Sequence, residues 1–193
     1  MDWKKQVILA SASPRRQELL RQVGIEPKVE PSQLEEVITS RDPAQVVMEL
    51  SGQKAADIAE KHRGENGVII GADTVVAADG VILGKPKDRA DAIKMIGMLQ
   101  GRSHQVFTGV TLIEAVSGRT ITFYEKTDVH VYPMTQEQIN SYVDTGEPMD
   151  KAGAYGIQGR FAAYIRGIEG DYTNVVGLPV GRVCQELMKL SEK

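Results

Sequence analysis

A short run of branched apolar residues, Val7-Ile8-Leu9, leads directly into Ala10-Ser11-Ala12-Ser13-Pro14-Arg15-Arg16-Gln17-Glu18-Leu19-Leu20. The run has the length and composition of a buried strand, and Leu19, Leu20 and Val23 then recur at helical spacing. The chain is therefore organised from its start around a strand, a tight polar turn and a helix. Ser13 fits the N-cap, and Pro14 fits the first helical position, where a missing N–H costs nothing. Arg15 and Arg16 then fall in the first turn, where backbone N–H groups and the helix dipole already favour an anion. Arginines serving helix stability alone belong at the opposite end. Beside the hydroxyls of Ser11 and Ser13, two guanidiniums suit a phosphate chain. The same residues also suit a polar cap with two solvated arginines, and the turn lacks the glycine cradle of a P-loop.

Any such basic site has to be local, because the chain carries a net charge of −3, which predicts no general attraction to nucleic acid or to a membrane. Its 193 residues are enough for one domain with a sizeable core, or for two small lobes on a shared sheet. The single cysteine, Cys184, rules out an internal disulfide and sits in an apolar helical pattern, as a small core residue does in a reducing compartment. Met1-Asp2-Trp3-Lys4-Lys5 leads into an apolar run too short for a signal peptide, and no run reaches membrane-spanning length. The expectation is a soluble, cytoplasmic protein.

Farther along, Glu26–Val29 predicts a short strand, followed by an irregular acidic stretch with Glu35-Glu36. That pair reads as a solvated loop unless it faces the arginines. Asp42-Pro43 opens a long helix on which Val47, Leu50, Lys54 and Ile58 share a stripe; Lys54 either snorkels to water or points into a site. His62, near that helix's C-terminus, reads as a dipole partner. Val68–Val76 is a buried strand with one carboxylate, Asp73, in its middle. A buried acid is costly unless paired or metal-bound, and the bland alternative is a bulge at Gly71 that turns Asp73 out to water. Asp79-Gly80 makes a hairpin into Val81-Ile82-Leu83, which brings Lys85 back to the level of Asp73-Thr74. An Asp–Lys pair there is either a plain salt bridge or a base with a phosphate clamp.

Asp88 caps another helix, and residues 106–116 and 121–131 predict two long strands joined around Ser117-Gly118. His104 and His130 lack the spacing of a zinc site. Thr135 and Gln138 form a capping box. The glycine-rich stretch from Glu147 to Arg160 reads as a loop that lets backbone approach a ligand, and Gln158 has the donors and acceptors to read a base edge. Strands are expected at 161–165 and 172–176, and a final helix carries Val183, Leu187 and Leu190 inward.

Taken together, Leu9-Ala10-Ser11-Ala12-Ser13-Pro14-Arg15-Arg16, Glu35-Glu36, Gln53-Lys54-Ala55, Ile70-Gly71-Ala72-Asp73-Thr74, Gly84-Lys85-Pro86, the run Asp150–Gly159, Gly170-Asp171-Tyr172 and Val175–Pro179 resemble, in order and nearly end to end, the Maf family of nucleoside triphosphate pyrophosphatases, also described as septum-formation inhibitors. The resemblance implies an α/β fold: a long mixed twisted sheet with flanking helices, in two lobes sharing the sheet around a central cleft, similar to the inosine triphosphate pyrophosphatases. It implies cleavage between the α and β phosphates, giving a monophosphate and pyrophosphate, with a divalent cation such as magnesium or manganese. Asp73 matches the family's proton acceptor, and Arg15, Thr74 and Gln158 match positions tied to base preference. Ser-Pro-Arg-Arg, Ala-Asp-Thr and Ile-Gln-Gly look like the branch acting on dTTP and UTP rather than its sister acting on 7-methyl-GTP.

On that reading Ser11, Ser13, Arg15, Arg16, Lys54, Thr74 and Gln158 bind the nucleotide, and Asp73, Glu36 and Lys85 serve catalysis. Asp73 and Glu36, with Glu35, would be the metal ligands. The partners expected are the nucleoside triphosphate and, as the family suggests, a second copy in a homodimer; neither nucleic acid nor a membrane is expected. The contrasting reading is a non-catalytic nucleotide sensor acting on the division machinery. The acidic residues weigh against it, since a pure anion binder gains nothing from carboxylates near phosphate unless a metal bridges them.

Overall fold

The structure, a computed structural model, describes residues 5–191; the first four residues, on which the reading of the N-terminus partly rests, lie outside that range. The opening turn is a βαβ unit. β1 (Gln6–Leu9) leads to α1 (Pro14–Gln22), and β2 (Lys28–Val29) returns parallel to β1, pairing Ile8 with Lys28 and Leu9 with Val29. Helix α1 stops because Gly24 takes φ +81, a conformation open to glycine. There the Gly24 N–H donates to Arg21 O (2.9 Å) and the Ile25 N–H to Leu20 O (3.0 Å), while buried Leu20 and Ile25 close the turn in a Schellman motif.

After an irregular stretch, α2 (Pro43–Lys61) is capped by Asp42, whose carboxylate accepts the Ala44 N–H at 2.9 Å. It feeds β3 (Gly67–Ala78), parallel to β1 from Gln6↔Gly67 to Leu9↔Ile70. A tight turn at Asp79 and Gly80, both at positive φ, returns the chain in β4 (Val81–Leu83). Then follow α3 (Arg89–Leu99), β5 (Ser103–Glu114), β6 (Thr120–Val131), α4 (Gln136–Val143), β7 (Ile165–Glu169), α5 (Tyr172–Val176) and α6 (Val180–Ser191). The seven strands form one mixed sheet in the order β2-β1-β3-β5-β6-β7, with β4 paired to β3 off this path. The α/β class with a long mixed sheet is as expected.

The chain divides into two compact units. One takes the chain up to Asp73, Thr108–Glu125 and everything from Gly177; the other takes Thr74–Phe107 and Lys126–Val176. In the first, Ile8, Ala10, Ala55, Ile58, Ile69 and Ala115 form a buried cluster. Here α2 lies directly on the sheet backbone. A Cβ on Gly71 of β3 would fall 2.2 Å from Ser51 O, and one on Gly109 of β5 would fall 2.2 Å from Val47 O. Both glycines admit the helix, so at Gly71 the strand makes a close backbone approach to α2. The second unit packs Ile96, Leu99, Val106, Val129 and Phe161. Within it His104 is buried with Nε2 2.7 Å from the Tyr155 hydroxyl, and burial pulls its pKa down to about 4, so the ring is neutral near pH 7.

Two expected strands are corrected. Residues 160–164 form a 3₁₀ turn ahead of β7, and Tyr172–Val176 is helical. Asp171 starts that helix by accepting the Thr173 N–H (2.7 Å), and Asn174 Nδ2 anchors it to Val106 O (3.1 Å) and Thr127 Oγ1 (2.9 Å). These buried polar contacts override the strand preference of the Tyr-Thr-Asn-Val-Val sequence. His62 is more than a dipole partner. Buried at the end of α2, it lies 2.7 Å from Glu65 and 2.9 Å from Glu30 through its two ring nitrogens, and serving both carboxylates takes an imidazolium.

Overpacking sets the first test. Gly109→Ala should lose about 3 kcal/mol of stability, because the backbone of α2 cannot yield to a Cβ. Gly97→Ala, in α3 with open space around it, should gain about 0.5–1 kcal/mol. Thermal unfolding of both variants checks the contrast.

Stability should also follow the His62 cluster with pH. The hydrogen bonds to Glu65 and then Glu30 raise the His62 pKa, so its contribution is complete below the ordinary 6.5 and is lost as pH climbs through the raised value. The bonds from His62 and then Lys28 lower the Glu30 pKa, so its contribution is complete above the ordinary 4.5 and is lost as pH falls through the lowered value. The gap in Tm between the wild type and His62→Gln should therefore be widest between 4.5 and 6.5 and should narrow on both sides.

Candidate active site

The order β2-β1-β3 puts a topological switch point between β1 and β3, and ligands of open α/β sheets bind beyond the carboxyl ends of strands at such points. Three groups of residues meet there within the first unit. From the end of β1 come Ser11 and the first turn of α1; from the far half of β3 comes Asp73; from α2 comes Lys54. Gly71 and Asp73 are two residues apart on a strand and so share a face, the face covered by α2. Because Ser51 and Ala55 press on Gly71, Lys54 between them is carried onto Asp73. Its Nζ donates to Asp73 Oδ1 at 2.5 Å and pairs with Glu36 Oε1 at 2.8 Å. The lysine side chain is 19% exposed and the aspartate 15%, so Lys54 points into the site and Asp73 is not turned out to water. Glu36, half-exposed, is presented by the irregular segment before α2. Gln53 fixes that segment by accepting the Val37 N–H (3.0 Å) and donating to the Val37 carbonyl (2.6 Å).

Arg16 is held in a fixed plane. Its Nε donates to Gly177 O and its Nη1 to Ser11 Oγ, both at 2.8 Å, and Ser11 Oγ also accepts the Ser13 N–H at 3.3 Å. Burial lowers the Arg16 pKa, Asp73 opposes this, and Arg15 adds to the lowering; an arginine stays charged throughout. Arg15 and Arg16 are both partly buried in the first turn of α1, as expected. Ser13 stands at the N-cap, with Pro14 after it, but its side chain makes no cap hydrogen bond. The convergence of Arg16 with Asp73 and Glu36 is thus present. The Gly177 carbonyl was missed in sequence, since a backbone acceptor leaves no side-chain signature.

Thr74, Lys85 and Gln158 belong to the second unit. Thr74 follows Asp73 on β3. Lys85 is exposed and lies two residues past Leu83, the last residue of β4, which pairs with Val76. Gln158 is exposed in the glycine-rich loop. The glycines of that loop accommodate other parts of the protein. A Cβ on Gly153 would meet the Val76 side chain at 2.9 Å, one on Gly156 the Lys151 side chain at 2.7 Å, and one on Gly159 the Glu147 carboxylate at 2.1 Å. The Gly153 N–H donates to Gly84 O (3.0 Å), tying the loop to the segment that carries Lys85.

A three-carboxylate metal set does not form: among the described residues no group of three or more His, Cys, Asp or Glu gathers where it could hold an ion. Glu35 is exposed, and Gln53 anchors its segment through Val37 beside the Glu36–Lys54 pair. Glu36 and Asp73 do converge on one cation, the Lys54 ammonium. Two carboxylates are oxygen donors of the kind that a hard divalent cation takes.

The family model described as Maf-like protein matches residues 6–190. The chain is 56% identical over 199 residues to a protein of Agathobacter rectalis named dTTP/UTP pyrophosphatase, covering 96% of this chain and 97% of that one. Proteins of the same name from Symbiobacterium thermophilum and Carboxydothermus hydrogenoformans are 53% and 50% identical, over 95% and 94% of this chain and 93% and 96% of their own. Among solved structures, that of the Staphylococcus aureus Ham1 protein aligns with 66% of this chain and 72% of its own at 15% identity and a TM-score of 0.47.

Arg16→Lys tests the clamp. Lysine keeps the charge but cannot bond Gly177 O and Ser11 Oγ in one rigid plane. Two lost hydrogen bonds should weaken tripolyphosphate binding about tenfold by calorimetry.

Proposed function

Because this chain belongs to the Maf family, we propose that it hydrolyses nucleoside triphosphates, dTTP and UTP foremost, to the monophosphate and pyrophosphate. The observation that carries this reading is the Lys54 ammonium held between Asp73 and Glu36 beside the fixed guanidinium of Arg16. It combines phosphate-binding cations with a carboxylate that can take a proton, which a binding module has no need of.

In the proposed mechanism Arg15, Arg16 and the hydroxyls of Ser11 and Ser13 bind the phosphate chain at the start of α1. Lys54 fixes one oxygen of Asp73. Asp73 accepts a proton from water as the water oxygen bonds to the α-phosphorus. The bond from that phosphorus to the bridging oxygen breaks, and pyrophosphate leaves with the oxygen. Lys54 then stabilises the charge that builds on the phosphates, and Lys85 is assigned the same work. Glu36 and Asp73 would hold a divalent cation, which when bound supplies charge neutralisation on the phosphate oxygens. Gln158 and Thr74 are assigned to the pyrimidine edge.

The test is product analysis with UTP and magnesium. Pyrophosphate and UMP in equal amounts are expected; orthophosphate would indicate a phosphatase, and no product a nucleotide sensor. Asp73→Asn keeps the shape but cannot take the proton, so turnover should fall about a thousandfold while nucleotide binding persists. Near-normal turnover would remove Asp73 from the chemistry.

A further inference from the structure

Gln158 carries the assigned base contact but sits on no strand or helix, so something else must set where its amide is presented. The next residue, Gly159, has φ −98 and ψ −154, so the position does not call for glycine through a positive φ. A Cβ there would nonetheless push the Glu147 carboxylate off its seat, because it would lie 2.1 Å from Glu147 Oε1, 2.4 Å from its Cδ and 2.7 Å from Oε2. The Glu147 carboxylate therefore rests directly on the backbone that follows Gln158.

Every contact of that carboxylate points to a fixed post. Oε2 accepts the Arg160 N–H at 2.9 Å, and Oε1 accepts the Tyr142 hydroxyl at 3.1 Å. Tyr142 is buried in α4 with its ring 5.0 Å from that of Phe161, which is itself fully buried. The Glu147 carbonyl accepts Lys151 Nζ at 2.7 Å, so its own backbone is tied as well. The carboxylate thus links the rigid α4–Phe161 core to Gly159 and Arg160, the two residues after Gln158.

We infer that Glu147 is a positioning residue for base selectivity: without touching the substrate, its carboxylate sets where the Gln158 amide is presented. The inference rests on the reading of Gln158 as the base contact. Glutamine at 147 can still accept from Arg160 through its carbonyl and donate to the Tyr142 oxygen through its amide, so Glu147→Gln should preserve function. Alanine loses both bonds and opens the space above Gly159.

The experiment measures kcat and KM for UTP and GTP by pyrophosphate release, with thermal unfolding as the check on folding. In Glu147→Ala the ratio of kcat/KM for UTP to that for GTP should fall about tenfold, chiefly through KM for UTP, while kcat changes by less than about threefold. Glu147→Gln should keep most of the wild-type ratio. Gly159→Ala should mimic Glu147→Ala, and the double variant should be no worse than either single one, since removing the carboxylate removes the clash. An unchanged ratio in folded Glu147→Ala, an equal loss on both nucleotides, or additive losses in the double variant would overturn the inference. Gln158→Ala separates the two layers. If it abolishes the UTP preference and Glu147→Ala does not, the positioning role alone fails. If Gln158→Ala leaves the preference intact, the base-contact reading falls, and the inference with it.

Discussion

The close seating of α2 on the sheet is the constraint on which the first unit depends. A helix normally stands off a sheet by the thickness of its side chains. Here the Ser51 carbonyl and the Val47 carbonyl occupy the places where side chains of Gly71 and Gly109 would be. Hydrogen bonding continues beneath it, with Ser51 Oγ 3.0 Å from Thr111 Oγ1 and Thr111 Oγ1 3.1 Å from Thr122 Oγ1. With the helix this low, a lysine one turn past the contact reaches a carboxylate two residues along the strand. A larger residue at position 71 would raise the helix and part the two charges, even though it touches neither.

The electrostatics follow from that seating. The chain is acidic overall, yet around the end of β1 it gathers Arg15, Arg16 and Lys54 together with Glu36 and Asp73. Bringing cations out of water is costly without partners, and the two carboxylates offset that cost before any ligand arrives. The cluster is thereby pre-organised: Lys54 is held by two acids, and Arg16 by a carbonyl and a hydroxyl. On the proposed reading an incoming phosphate chain would meet donors whose orientation is already set, which leaves little ordering for binding to impose.

What could be read from the sequence divides along physical lines. Local chemistry was legible: the Asp42 cap, the Thr135–Gln138 capping box and the Asp79-Gly80 turn each form as their residues require. Lys54 was recognisable as the odd member of an apolar stripe, although only the packing decides that it turns inward. Tyr172–Val176 was misread because its strand-like side chains are overruled by Asp171 and by the buried amide of Asn174, partners that lie far off in sequence. The neighbours of the loop glycines could not be read for a related reason: glycine marks a close approach but does not say of what, and Val76, Lys151 and Glu147 come against Gly153, Gly156 and Gly159. The Gly177 carbonyl and the Glu147 carboxylate were invisible because their roles exist only once the chain has folded back.

These cases point to a division of labour in how rigidity is supplied. The residues assigned to the phosphates stand on or beside regular elements, and backbone packing fixes them; changing their geometry means moving a helix. Gln158 stands in a turn closed by the Gly159 N–H on Gly156 O (3.2 Å), where no repeating hydrogen-bond ladder sets the backbone, and side chains add to that hold. Glu147 does it with two hydrogen bonds and a steric contact, all made to groups within the same unit. A single carboxylate is easier to change than the seating of α2. It follows that substitutions around Glu147 can retune the presentation of Gln158 while leaving the Lys54–Asp73 pair undisturbed, because the two depend on separate sets of contacts.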